Sequence, residues 1–106
     1  MTMITYWRID NLPAERGQWL FGPFVHVYDS TGQRVAIGDG GVVPGIRWRK
    51  GDIYIQRLSV QIPDKAVGPF KLLVGQYDGV HNTNATFTLP DGTASPLIPI
   101  QEPLPN

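Results

Sequence analysis

The feature that most constrains this chain is a series of short β-prone segments separated by glycine, proline and aspartate. Between residues 58 and 62, apolar side chains at even positions alternate with polar side chains at odd positions. Residues 83–89 repeat the alternation and are predicted to turn Ala85, Phe87 and Leu89 inward. A period of two places the apolar side chains on one face of a strand, so these segments predict strands with one face on a core.

The whole chain follows this pattern, and no segment shows a helical period. In residues 19–28, Phe24, His26 and Tyr28 are predicted to share one face, with Val25 and Val27 on the other. We therefore predict an all-β fold, a two-layer antiparallel β-sandwich that is Ig-like or jelly-roll-like, with seven or eight strands. The main predicted strands are residues 6–9, 19–28, 34–37, 53–62, 70–77, 83–89 and 97–100.

Charge and cysteine content limit the classes of function. Nine basic residues balance nine acidic ones, so no net charge attracts nucleic acid or an anionic membrane, and we expect neither as a partner. No apolar run approaches the ~20 residues of a membrane-spanning helix. Without cysteine the chain has no disulfide, thiolate ligand or cysteine nucleophile. Two histidines are too few for a histidine-only metal site, so we predict no metal and no cofactor.

The domain organisation is simple. We predict one domain over residues 6–100, followed by a proline-rich tail over residues 101–106. Residues 1–5, with the sequence Met-Thr-Met-Ile-Thr, resemble the β-galactosidase leader of common cloning vectors. We interpret them as a vector-derived leader to be left out of the predicted fold; the alternative is a natural N-terminus.

The middle of the chain, residues 19–78, contains an ordered set of motifs. This set resembles the extracytoplasmic β-sandwich domain at the C-terminus of bacterial membrane glycosyltransferases of the protein-mannosyltransferase type. The resemblance implies a sandwich in an extracytoplasmic location, periplasmic or at the cell surface. It implies no catalytic residues, because the active site of those enzymes lies in their membrane part. It ends after Asp78. The motifs are residues 24–29, 32–36, 38–40, Trp48, 51–52, 62–63, 68–72 and 74–78.

The strongest candidate for ligand binding is Trp48, which stands in a basic connection between Arg47 and Arg49. An exposed tryptophan beside polar groups can stack on a sugar ring, so this segment is a candidate carbohydrate site. The alternative is that Trp48 caps the open end of the sandwich, with the arginines over its face.

Histidines and aspartates supply the remaining candidates. His81 and Asn82 lie in a polar loop and are candidate ligand-binding residues, although a loop histidine without a defined partner is usually only solvated. We expect His26, in mid-strand, to be a packed, hydrogen-bonded histidine. The aspartates flank glycines or strand ends, which favours turn chemistry over a calcium site. The aspartates in question are Asp29, Asp39, Asp52, Asp78 and Asp91.

Three hypotheses for function follow. The first is a non-catalytic accessory or binding module of a larger extracytoplasmic bacterial protein, contacting carbohydrate through Trp48. The second is a structural domain that forms homo-oligomers through an exposed edge strand, either residues 6–9 or 97–100. The third is a small hydrolase, which requires His81 or His26 within about 3 Å of a carboxylate in a pocket.

Overall fold

The computed structural model describes residues 1–12 and 14–100, which form an all-β fold. This part of the chain contains ten strands and two short 3₁₀ helices, Arg16–Gln18 and Gly45–Arg47. The strands are β1 (Thr2–Arg8), β2 (Leu20–Tyr28), β3 (Arg34–Gly40), β4 (Val43–Pro44), β5 (Ile53–Ser59), β6 (Lys71–Asp78), β7 (Thr83–Asn84), β8 (Phe87–Thr88), β9 (Ala94–Ser95) and β10 (Ile98–Ile100).

Eight of these strands form one curled antiparallel sheet, and the other two form a small second sheet. The large sheet has the order β1-β5-β3-β2-β6-β10, with β4 paired to β2 and β7 paired to β6. The small sheet consists of β8 and β9. The fold class is therefore confirmed as all-β, antiparallel and sandwich-like or barrel-like, although its two layers are very unequal in size.

The core lies on the inner face of the large sheet, as the alternation predicts. Val25 and Val27 of β2 face inward and pair across the strands with Val74 and Leu72 of β6. Leu58 from β5 completes this fully buried group. Phe24, His26 and Tyr28 lie on the opposite face and are half-buried, which confirms the predicted division of β2.

Turn chemistry accounts for two of the predicted aspartates. Asp29 Oδ1 accepts hydrogen bonds from the backbone N–H of Thr31 and Gln33 at 2.9 and 3.0 Å. Asp91 Oδ1 accepts one from the Thr93 N–H at 2.9 Å. These bonds close the turns between β2 and β3 and between β8 and β9. The hydroxyls of Thr31 and Thr93 also donate to these carboxylates, each at 2.6 Å, and together with the backbone N–H groups they lower the pKa of Asp29 and Asp91.

Several strand predictions differ from the structure. β3 extends to Gly40 instead of Ile37, and β5 ends at Ser59 instead of Ile62. β1 begins at Thr2 instead of Tyr6, so residues 2–5 belong to the sheet; their resemblance to a vector leader stays a prediction. Residues 83–89 are not one strand, because β7 pairs with the large sheet and β8 with the small one. Ten strands replace seven or eight because residues 83–89 divide into β7 and β8, and because the two-residue strands β4 and β9 are too short to show an alternation. The predicted tail, residues 101–106, lies outside the described residues.

Candidate functional site

A cavity of about 360 Å³ opens between the large sheet and the small β8–β9 sheet. Its volume lies in the range of pockets that hold small molecules in proteins. Six of its seventeen lining residues are aromatic, and two glutamine side chains supply its buried polar groups. The lining includes Tyr6, Trp7, Phe21, Val43, Trp48, Tyr54, Gln56, Gln76, Phe87 and Ile98.

Trp48 belongs to the wall of this cavity and is not an exposed platform. The 3₁₀ helix Gly45–Arg47 ends at Trp48, whose ring packs against Phe21 with 5.0 Å between ring centroids. Only 8% of Trp48 is exposed, so of the two roles that the sequence left open, the exposed sugar-stacking platform is excluded. Its burial agrees better with the alternative role as a cap, but neither Arg47 nor Arg49 makes a cation–π contact with it.

The two neighbouring arginines do not join the site. Arg47 and Arg49 are exposed, and neither lines the cavity. Arg47 contributes only its backbone carbonyl, which accepts a hydrogen bond of 2.7 Å from the Tyr54 hydroxyl. This bond connects the 3₁₀ helix to β5 and fixes the cavity wall beside Trp48.

The polar groups of the cavity are the amides of Gln56 and Gln76, which are 8% and 9% exposed. Gln76 Nε2 donates to Gln56 Oε1 at 2.7 Å, and Gln56 Nε2 donates to the Gly41 carbonyl at 2.9 Å. In the described part of the chain, Gln76 Oε1 receives no side-chain or backbone donor. A fixed acceptor therefore lines an aromatic cavity, which suits a ligand that carries hydroxyl groups.

Trp7 is held in place by Thr5. The Trp7 indole N–H donates to Thr5 Oγ1 at 2.7 Å, and the Thr5 hydroxyl donates to the Gln56 backbone carbonyl at 3.1 Å. On its other side, Trp7 packs against Phe87 with ring centroids 5.0 Å apart. One cavity wall is thus fixed by a hydrogen-bonded chain and closed by the small sheet.

The cavity residues other than Trp48 were missed by the sequence analysis, although a signal was present. Gln56 lies two residues before Leu58, on the same inward face as Val60. A glutamine at an inward position of an apolar alternation is expensive to bury unless its amide is hydrogen-bonded. Such an interruption marks a polar site on the inner face.

His81 has a partner that the sequence did not reveal. Its ring Nδ1 lies 2.6 Å from Oδ2 of Asp78, whose side chain is fully buried. The same oxygen accepts the His81 backbone N–H at 2.8 Å, and Oδ1 accepts the Leu20 N–H at 2.9 Å. Burial raises the pKa of Asp78, but these hydrogen bonds outweigh it and hold the pKa below its usual value.

Aromatic stacking connects His81 with the cavity wall. The His81 ring stacks on Trp19 with centroids 3.9 Å apart, and Trp19 stacks on Phe21 at 5.5 Å. Phe21 in turn contacts Trp48. The candidates Trp48 and His81 therefore lie at opposite ends of one row of rings, but only Trp48 lines the cavity.

The other loop and strand candidates have structural contacts. Asn82 Oδ1 accepts a hydrogen bond of 2.7 Å from the Tyr77 hydroxyl, and its backbone adopts a left-handed φ of 52°. His26 is half-buried and packs against Phe24, with centroids 5.0 Å apart. Burial first, and then the nearby Arg34, lowers the pKa of His26. Among the described residues the His26 side chain has no hydrogen-bond partner, so the prediction of a hydrogen-bonded histidine is wrong.

Comparisons with protein families, curated proteins and solved structures find no match to this chain. Among the described residues, no three His, Asp or Glu side chains are grouped closely enough to hold a metal ion. No helix in residues 1–12 and 14–100 is long and apolar enough to cross a membrane.

Proposed function

We propose that this chain is a non-catalytic binding module whose cavity holds a neutral, hydroxyl-bearing ligand of about monosaccharide size. The observation that carries the proposal is the buried Gln56–Gln76 amide pair, which lines the same cavity as Trp7 and Trp48. Aromatic faces pack on the C–H surface of a sugar ring, while a fixed amide oxygen accepts from its hydroxyls.

The size and charge of the cavity support this ligand class. A volume of 360 Å³ equals the liquid volume of roughly twelve water molecules. The charged side chains of the lining, Arg8 and Asp10, form an ion pair of 2.6 Å with each other. Their charges compensate each other, so the cavity favours a neutral ligand over a uronic acid or an amine.

Titration with neutral hexoses, N-acetylhexosamines and uronic acids tests the proposal, with tryptophan fluorescence and amide NMR shifts as readouts. We expect saturable binding of a neutral sugar that Gln76→Met weakens about tenfold, because one lost hydrogen bond accounts for about 1.4 kcal/mol. The matched control is Gln61→Met, at an exposed position outside the lining. Absence of binding across all three classes, or equal weakening by both variants, would contradict the proposal.

We further propose that the module belongs to a larger extracytoplasmic bacterial protein. The ordered motifs of residues 19–78 support this origin through their resemblance to a domain attached to membrane glycosyltransferases. The reading frame around the coding sequence tests it. Membrane-spanning segments encoded upstream in the same frame would support the proposal, and a separate short gene would contradict it.

The hydrolase is a second candidate, favoured by one observation. His81 Nδ1 meets the buried Asp78 carboxylate at 2.6 Å, and 34% of the His81 side chain is exposed. A carboxylate and the imidazole that it orients in this way are two of the three members of a catalytic triad. The pair meets the distance requirement of the hydrolase hypothesis, but neither residue lines the cavity. Hydrolysis of a panel of activated esters that His81→Asn abolishes would support the candidate. Equal hydrolysis by the variant and the parent chain would exclude it.

A further inference from the structure

The first strand forms one edge of the large sheet, and its outer side is unpaired within the described residues. Met1 and Val60 exchange two backbone hydrogen bonds at one end of the β1–β5 ladder, and the Ile9 N–H donates to Asp52 at the other. Hydrogen-bonded pairs alternate with non-hydrogen-bonded pairs in an antiparallel ladder. Odd residues therefore bond to β5, and the even residues Thr2, Ile4, Tyr6 and Arg8 direct their N–H and C=O groups outward.

The two edges of the sheet differ in how they resist pairing. β10 carries Pro99 at its centre, and proline removes a donor from an edge strand. β1 has no proline, lysine or bulge over its seven residues. An unprotected edge of this length is a template for a further strand.

Exposed apolar side chains accompany the open edge. Ile4 and Tyr6 of β1 are 48% and 69% exposed, and Ile55, which lies opposite Tyr6 on β5, is 65% exposed. An apolar surface next to unpaired backbone groups marks an interaction site. A partner strand that adds to this edge would cover both features together.

We propose that the partner is a second copy of this chain, joined by antiparallel pairing of β1 with β1 about a two-fold axis at Thr5. In this register Ile4 lies opposite Tyr6 of the second copy, and Thr2 lies opposite Arg8 of the second copy. Even residues face even residues, so every outward N–H and C=O of Thr2, Ile4, Tyr6 and Arg8 finds a partner.

The sequence of β1 favours a second copy of the chain as the partner, and it favours pairing about Thr5. The outward residues are spaced symmetrically about Thr5, so the edge is complementary to itself, as a two-fold interface requires. Sliding the strands by two residues leaves either Thr2 or Arg8 without a partner. Two isoleucine–tyrosine cross-strand pairs form, and the zero net charge of the chain adds no overall repulsion between the copies.

A cysteine scan of β1 tests the register, because the chain has no cysteine of its own. The two Thr5 positions form a non-hydrogen-bonded pair with Cα atoms about 4.5 Å apart, within reach of a disulfide. Under oxidising conditions, Thr5→Cys should form a disulfide-linked dimer. Met3→Cys is the matched control, since its two copies would lie about 13 Å apart along the strand. Cross-linking of both variants or of neither would overturn the proposed register.

Sedimentation equilibrium across micromolar to millimolar concentrations tests the association itself without changing Thr5. The parent chain should be a reversible dimer, and Tyr6→Lys should weaken its dimerisation about tenfold or more. Ile37→Lys is the matched control, because Ile37 is 57% exposed but lies on the interior strand β3. It should dimerise like the parent. A monomeric parent chain, or equal weakening by the two lysine variants, would refute the proposal.

Discussion

Replacing Asp78 by asparagine should destabilise the protein, although the two side chains have nearly the same shape. Asp78 accepts the Leu20 N–H on one oxygen and the His81 N–H on the other. An amide has only one oxygen, so its NH₂ group must face one of these two donors. An unsatisfied buried donor costs about 1–3 kcal/mol. For a domain of this size, about 2 kcal/mol lowers Tm by about 10 °C.

Urea unfolding at neutral and acidic pH provides the assay. The pKa of Asp78 is lower in the native state than in the unfolded chain, where it is about 3.9. The ionised carboxylate therefore contributes its full stabilisation above that unfolded pKa, and the stabilisation is lost as pH falls through the native pKa. The gap in the free energy of unfolding between the parent chain and Asp78→Asn should therefore be widest near pH 7 and should shrink in acid. Asp64→Asn, at an exposed turn, is the control. A gap below about 0.5 kcal/mol at pH 7, or one independent of pH, would refute the reasoning.

Three further predictions concern the core, a close contact and the cavity wall. Leu58→Ala, at a fully buried core position, should cost about 2–5 kcal/mol in urea unfolding. Gly75→Ala should cost about 1–3 kcal/mol, because its Cβ would lie 2.6 Å from the Phe24 ring. Gly41→Ala, whose Cβ meets nothing within 4 Å, should be neutral or slightly stabilising in the same assay. Thr5→Val removes the hydroxyl that accepts an indole N–H and should lower stability by about 1–2 kcal/mol and shift tryptophan emission.

The strands that sequence predicts best are those in which alternation and burial agree over many residues. In β2, Val25 and Val27 face inward and their neighbours face outward, because each inward side chain has a buried partner across the β6 ladder. The turn at Asp29 is equally local, since its side chain bonds the backbone two and four residues later. Local periodicity and local hydrogen bonds are properties that a sequence contains directly.

Strand ends and strand partners depend on the rest of the fold. Pro23 is fully buried in β2, a central strand where proline is normally excluded. It is tolerated because β2 changes partners at this point, pairing with β4 up to Phe21 and with β3 from Phe24. Residues 83–89 similarly look like one strand, yet their two halves join different sheets. Neither change of partner has a local signature.

The candidate site depends on such long-range pairing, which explains why the sequence left two roles open for Trp48. Its basic, hydrophilic chain neighbours are compatible with an exposed ring and with a ring that caps the end of the sandwich. The fold decides between them by burying the ring against Phe21, which is far from it in sequence. Gln56 and Gln76 lie on strands that are separated in the sheet by β3 and β2. Their side chains meet because the sheet curls and both point to its inner face. What the sequence does contain is the anomaly of a glutamine on an apolar face. That anomaly identifies where a polar site must exist, and the three-dimensional register identifies the groups that complete it.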